Sequence, residues 1–417
     1  MAFSQSKLKI ALIFRRSKLV PTHNLMILGR QQKSAVSQES SPLARIWIVL
    51  SMYLLLQSSC VLLLVGLVKS KFFYQNYYDD KRMVAQWHIT SSMYANDSKN
   101  ADECMQKGYQ DPELKYAILS YKCPWQFLWT GGNDNCTAVV GYSPAQNDLF
   151  INFAGTPCPP TSSTTGCPAL GHEFLDAGME TLERVDGKGS LGAVLKYFKY
   201  AYLSSWETLS PIIAQYHLNI TQANFTTTIG GISMGGAVSS IFALQYAILF
   251  PTHADRLTLL TYGEPRQGNQ EYVDNHDAQV KTAFRVINHL DVVPTLPPRA
   301  FGYLHHSSEV WYYSGMVLPG NPRGQSTSPF SVCLGQESDR CRWSAPICKE
   351  CQRELRDHVT YLAAPCDIGV FASRGCSMPA DPSSCWKDVK NLTICPIPET
   401  CDPAGVTKPE FAFRLPQ

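Results

Sequence analysis

Apolar and polar positions alternate along the chain in blocks of very different length. The longest apolar block, Ile46 to Val68, runs for 23 residues without a charge and is dominated by leucine, isoleucine and valine. As a helix it is long enough to cross a bilayer. Further along, Asn224 to Ile229 contains Thr226, Thr227, Thr228 and Ile229 in succession. These β-branched side chains crowd a helix but suit a pleat, so the segment is predicted to be a strand. The run Gly236-Ala237-Val238-Ser239-Ser240-Ile241-Phe242-Ala243-Leu244 has the small and apolar spacing of a buried helix. A second short strand is predicted over Phe284 to Asn288, and a short apolar run covers Val359 to Ala363.

Between the first strand and its helix stands Gly231-Ile232-Ser233-Met234-Gly235. In that setting the pentapeptide has the form of a nucleophile elbow, a sharp strand-to-helix turn that pushes a serine hydroxyl into a pocket; an ordinary tight turn is the alternative. A neutral serine is a weak nucleophile until an imidazole takes its proton, and a buried carboxylate fixes the tautomer and balances the imidazolium. Asp291 follows the predicted strand 284–288 and precedes Val292-Val293-Pro294, where an orienting acid belongs. His358, between Asp357 and the apolar run, comes last, which gives the order serine, acid, histidine. Competing candidates are His289, His305 and His306 for the base and Asp357 for the acid. Gly263, Pro265, Arg266 and Gly268 read as a strand-end turn shaping the site floor.

Several separated segments in one order resemble the class 3 lipases, the fungal-type triacylglycerol lipase branch of the α/β-hydrolases. They are Ile151-Asn152-Phe153-Ala154-Gly155-Thr156, the helix-like stretch Gly192 to Trp206, the elbow, and Tyr262-Gly263-Glu264-Pro265-Arg266-Gln267-Gly268-Asn269. Phe284-Arg285-Val286 running into Asp291-Val292-Val293-Pro294, then Gly302-Tyr303-Leu304-His305 with Glu309-Val310-Trp311-Tyr312, and finally Asp357-His358-Val359-Thr360-Tyr361 complete the series. The resemblance implies an α/β-hydrolase fold with a mostly parallel central sheet flanked by helices. It makes Ser233 the nucleophile, Asp291 the acid and His358 the base, with Thr156 and the amide of Met234 as oxyanion donors. Two positions depart from the family pattern. Ile232 stands where the family usually has histidine, and Ala154 where it has arginine; neither is required for proton transfer. The interval 157–190 is where the family carries a lid, and Phe174 to Leu182 suits either a movable apolar cover or a fixed surface helix.

Charge and cysteine distribution refine the picture. Residues 1–45 contain eight Lys or Arg against one acid, Glu39, and the remainder has 28 basic and 33 acidic residues. Positive-inside reasoning therefore places a basic arm in the cytosol and the rest across the membrane. Of 15 cysteines, the 14 from Cys104 to Cys401 form an even set. Seven disulfides are expected for an exported domain, including a Cys158–Cys167 staple, with Cys348 and Cys351 read as disulfide-forming rather than zinc-binding. Sequons stand at Asn96, Asn135, Asn219, Asn224 and Asn391. The expected organisation is a basic arm (1–45), a transmembrane signal-anchor or signal-peptide core (46–68), a stem (69–112), a lipase-like domain (113–365) and a cysteine-rich extension (366–417). Localisation is then single-pass type II, or secretion after cleavage. The expected chemistry is cofactor-free and metal-free hydrolysis of acylglycerol esters at a membrane or lipid–water interface. A carboxylesterase of small esters and a non-catalytic lipid-binding relative are the alternatives. There is no nucleic-acid motif, and nothing in the sequence bears on oligomeric state.

Overall fold

β-Branched and aliphatic runs assemble into one sheet with helices on both faces. The computed structural model describes residues 78–123, 135–156, 182–185, 191–222, 224–316, 328–344, 353–363 and 366–378. Strands β1 (Lys115–Lys122), β2 (Asn135–Ser143) and β3 (Asp148–Phe153) form an antiparallel meander. A small pair follows, β4 (Leu182–Arg184) with β5 (Ala193–Leu195). From β3 the main sheet continues in parallel through β6 (Thr226–Ile232), β7 (Leu257–Tyr262), β8 (Thr282–Asn288) and β9 (Glu309–Tyr312), and β10 (Ser331–Cys333) closes it antiparallel. The carboxyl ends of β3, β6, β7 and β8 therefore share one edge, where open α/β sheets place their sites.

Alternation along the strands feeds two cores. Leu257 and Leu259 of β7 point to a cluster built with helices α3 (Lys196–Asn219) and α4 (Met234–Leu249). Leu260 and Tyr262 point to the other side, where Met83, Val84 and Trp87 pack with Tyr361, Ile368 and Phe371. The period of two puts successive side chains on opposite faces, so a sheet covered on both faces reads as a continuous apolar run. The strand predicted from Asn224 begins at Thr226, because Asn224 has φ 65° and is exposed, and it continues through Gly230 to Ile232. The predicted helix is longer at both ends, Met234–Leu249. Helix α5 (Gln270–Gln279), α6 (Arg353–Thr360) and α7 (Ile368–Ala372) complete the described helices.

The segment expected to be a stem instead holds α1 (Asp80–Ser92) and α2 (Ser98–Tyr109), packed on the sheet. Side-chain caps start both: Asp79 accepts from Lys81 N and Asp97 from Asn100 N. Buried polar side chains of α1 find partners in β3, where Asn152 Nδ2 donates to Gln86 Oε1 (3.1 Å) and Thr90 Oγ1 (2.9 Å). Disulfide Cys104–Cys376 ties segments 272 residues apart, Cys123–Cys136 and Cys333–Cys341 close short loops, and Cys366 is also disulfide-bonded. Cys158, Cys167, Cys348, Cys351 and most of the 157–190 lid interval lie outside the described residues. Asn96, Asn135, Asn219 and Asn224 are exposed.

The expected membrane-spanning helix, and with it the type II anchor, must be corrected: among the described residues no helix is long and apolar enough to cross a membrane. At 24 residues α3 has the length, but Lys196, Lys199, Glu207 and His217 interrupt it. Helix α4 has no charged residue but spans only 16 residues, short of the roughly 20 a bilayer needs. Segments 1–45 and 46–68 lie outside the described residues.

Candidate active site

Ser233 occupies the junction of β6 and α4 with φ 58° and ψ −129°. Few residues with a side chain adopt that conformation, which is a recognised feature of strained functional turns. The surroundings hold it there. Its N–H donates to the Tyr262 carbonyl (2.8 Å), and its own carbonyl accepts from Gly236 N (2.9 Å) and Ala237 N (3.3 Å). A Cβ on Gly235 would stand 2.3 Å from Phe153 O and 2.5 Å from Ala154 O, so only glycine lets α4 begin this close to the end of β3. The β3 extension runs equally close to the serine, since a Cβ on Gly155 would lie 2.9 Å from Ser233 Cβ. Thr156 comes next in that chain, and the Gly155 N–H donates to Tyr94 Oη (2.7 Å). Met234 is the first residue of α4, where a helix leaves its amides without internal acceptors. Its sulfur accepts from Tyr197 Oη at 2.8 Å.

Asp291 and His358 meet a short distance along the same edge. His358 Nδ1 lies 2.9 Å from Asp291 Oδ2 and 3.1 Å from Oδ1. Asp291 is fully buried and His358 is 2 % exposed. A buried carboxylate needs donors, and Asp291 also receives the Val293 N–H (2.9 Å) and the Tyr361 hydroxyl (2.7 Å). Burial, and then the neighbouring Asp291 charge, push the Tyr361 phenol well above its ordinary value, so it remains a donor. Gly263, with φ 57°, makes room for the pair: a Cβ there would stand 2.7 Å from both Asp291 Oδ2 and His358 Nδ1. Because Ser233 N–H binds the carbonyl of Tyr262, the residue before Gly263, one strand end faces the serine on one side and the acid–histidine pair on the other.

The competing candidates are engaged elsewhere. Asp357 accepts from His289 Nδ1 (2.8 Å) and Leu290 N (3.2 Å), while its carbonyl accepts from Asn288 Nδ2 (2.8 Å). His305 Nε2 donates to Pro294 O at 2.8 Å, and His306 Nε2 lies 3.1 Å from Glu264 Oε1. Arg266, from the turn after β7, is buried with Nε and Nη2 on Glu337 at 2.8 and 3.0 Å. Ile232 and Ala154, where the chain departs from the family pattern, are both buried. Sequence reasoning missed three supports. Tyr361 sits three residues after His358, a spacing that places both on one side of a helical turn and could have signalled it. Arg342 holds the acid's loop by donating to Asp291 O (3.0 Å) and Leu290 O (2.9 Å), and the Asp357–His289 pair clamps the neighbouring backbone. Neither had a local signal.

Residues 159–301 match the family model described as Lipase (class 3). This stretch contains Ser233 and Asp291, and His358 lies beyond it. Over this stretch the chain is similar to the class 3 lipases. It is a serine ester hydrolase. It is 27% identical over 317 residues to Lipase ZK262.3 of Caenorhabditis elegans, covering 70% of this chain and 80% of that protein. It is 34% identical over 166 residues to Secreted mono- and diacylglycerol lipase 1 of Fusarium solani, covering 39% of this chain and 45% of that one. The lipase structure from Rhizopus microsporus var. chinensis superposes with a TM-score of 0.50 at 19% identity, over 69% of this chain and 88% of that one. Lip2 lipase from Yarrowia lipolytica does so at 0.50 and 16%, over 70% and 93%. At these identities the two structures speak for the α/β-hydrolase fold.

Proposed function

We propose that this lipase hydrolyses acylglycerol esters through Ser233, His358 and Asp291. The observation that carries the reading is the buried Asp291–His358 pair, 2.9 Å apart, meeting at Gly263 the strand end to which Ser233 is bound. Asp291 accepts the Nδ1 hydrogen of His358, which leaves Nε2 as the base. Nε2 takes the Ser233 proton as Oγ attacks the ester carbonyl, and the negative charge that develops on the carbonyl oxygen is met by Thr156 and the Met234 amide. His358 then protonates the departing glycerol oxygen. Water, deprotonated by the same imidazole, attacks the acyl-enzyme and releases the fatty acid. The steps are completed by protein groups and water.

The similarity to a mono- and diacylglycerol lipase of Fusarium solani favours acylglycerols, partial ones foremost, over other esters. Such substrates gather at a lipid–water interface, where the protein would act. Export fits the disulfides that close 272, 13 and 8 residues of chain, since such bonds persist in oxidising compartments. The test compares full-length protein, produced through an oxidising secretory pathway, with Ser233→Ala on diacylglycerol and triacylglycerol emulsions and on a soluble short-chain ester. Serine-dependent release of fatty acid from an emulsion is expected. Turnover of the soluble ester alone would reassign the protein as a general carboxylesterase, and folded protein without serine-dependent turnover of any of them would overturn the reading.

A further inference from the structure

A second cluster of titratable side chains lies outside the proposed triad, under the turn that follows β7. His276 and Asp277 end helix α5, and His306 lies in the loop before β9. Ligand-type atoms of the three lie within 4.8 Å of one another. His276 is fully buried, and neither of its ring nitrogens has a hydrogen-bond partner. An imidazole with both nitrogens dry and unpaired forfeits the solvation it had in the unfolded chain. Its Nδ1 stands 3.7 Å from Asp277 Oδ1, too far for a hydrogen bond. Two ligands of one tetrahedral ion, each on a bond of about 2.0–2.1 Å, stand roughly 3.4 Å apart. Asp277 accepts from Ser307 N (2.9 Å) and Ser307 Oγ (3.0 Å) instead, which leaves the His276 nitrogens open to another partner.

His306 carries the same sign. Its Nε2 faces the buried Glu264 carboxylate at 3.1 and 3.3 Å, and its Nδ1 faces the Ser307 carbonyl oxygen at 2.6 Å. Both neighbours are acceptors, while a neutral imidazole carries one hydrogen. With that hydrogen directed to Glu264, the Nδ1 lone pair confronts an oxygen, and either a second proton or a cation must relieve the contact. A carboxylate holding the far side of a histidine is also the arrangement that orients metal-bound imidazoles. The rings of His276 and His306 stack with centroids 4.1 Å apart.

We propose that His276, Asp277 and His306 form a binding site for a divalent first-row transition cation, zinc being the best match to two imidazoles and a carboxylate, with Glu264 orienting His306 and water completing the shell. The cation joins the end of α5 to the loop before β9 and, through Glu264, to the turn behind the elbow. It acts as a structural clamp and takes no part in acyl transfer. The test uses tag-free full-length protein dialysed against zinc, with metal content read by mass spectrometry. One zinc per chain is expected, lost in His276→Gln and bound about 10–100-fold more weakly in Glu264→Gln. Loading the unaltered protein with cobalt gives an independent reading that does not depend on a variant folding: an intense visible band from a four-coordinate ion is expected. Absence of both stoichiometric zinc and the cobalt band in folded protein overturns the proposal. Unchanged zinc binding by folded His276→Gln overturns it as well.

Discussion

Two carboxylate–histidine pairs sit side by side in this lipase, built from the same short stretches of chain. Asp291 pairs with His358 at 2.9 Å and Asp357 with His289 at 2.8 Å, so the loop after β8 and the end of α6 exchange one acid and one histidine each. Distance does not separate them. What lies around each pair does. Asp291 is fully buried, takes further bonds from Val293 N and Tyr361, and shares the space over Gly263 with the His358 imidazole. Asp357 is partly exposed; its carboxylate also accepts the Leu290 N–H, and its backbone carbonyl accepts from the Asn288 side chain. In the proposed mechanism the first pair orients a base, while the second holds the backbone on either side of it.

Separating the two pairs by substitution gives the largest expected effect. Asp291→Asn keeps the shape but favours the wrong tautomer of His358, and kcat should fall on the order of 10⁴-fold. Asp357→Asn should leave kcat within about tenfold and instead lower stability by about 1–3 kcal/mol, the cost of weakening a buried hydrogen-bonded group. Ester turnover and denaturant unfolding of the two variants, measured together, check the division; equal losses of kcat would erase it.

The sequence made one side of this comparison legible and hid the other. Ser233 could be found because its signal is local, a β-branched run, a pentapeptide and a small-residue helix. Asp291 and His358 followed from their order and from family resemblance. The Asp357–His289 pair could not be read, since its members are 68 positions apart and each looked like a rival for the triad. Arg342 reaches Asp291 from 51 residues away, with no local pattern to mark it. Within the expected stem, α1 carries buried Gln86 and Thr90, whose partner Asn152 stands 66 and 62 positions away in β3. Polarity along a chain reports burial only where the partner is also local. The disulfide from Cys104 to Cys376, 272 residues apart, was equally beyond reach from spacing.

Smaller effects sharpen the contrast. Tyr361→Phe removes one of the donors to Asp291 but leaves the pair intact, so kcat should drop several-fold, about 1 kcal/mol of stabilisation, in steady-state turnover. Away from both pairs, His88 of α1 is buried against Phe371, and burial followed by the Lys107 charge lowers its pKa from 6.5 to about 4. A lowered histidine pKa means that the unfolded chain binds the proton first as pH falls. The contribution is complete above pH 6.5 and is lost between 6.5 and about 4, at no more than about 1.4 kcal/mol per pH unit. Thermal melts of His88→Gln should show a shallower decline across that window than the unaltered protein, with turnover at neutral pH unchanged.

The most direct measurement is the labelling of Ser233 by a serine-reactive fluorophosphonate, followed by peptide mapping, in the unaltered protein, Asp291→Asn and Asp357→Asn. The account predicts a single labelled serine, Ser233, modified at near-normal rate in Asp357→Asn and orders of magnitude more slowly in Asp291→Asn. Label on another serine, or a rate depressed as strongly by Asp357→Asn as by Asp291→Asn, would contradict it.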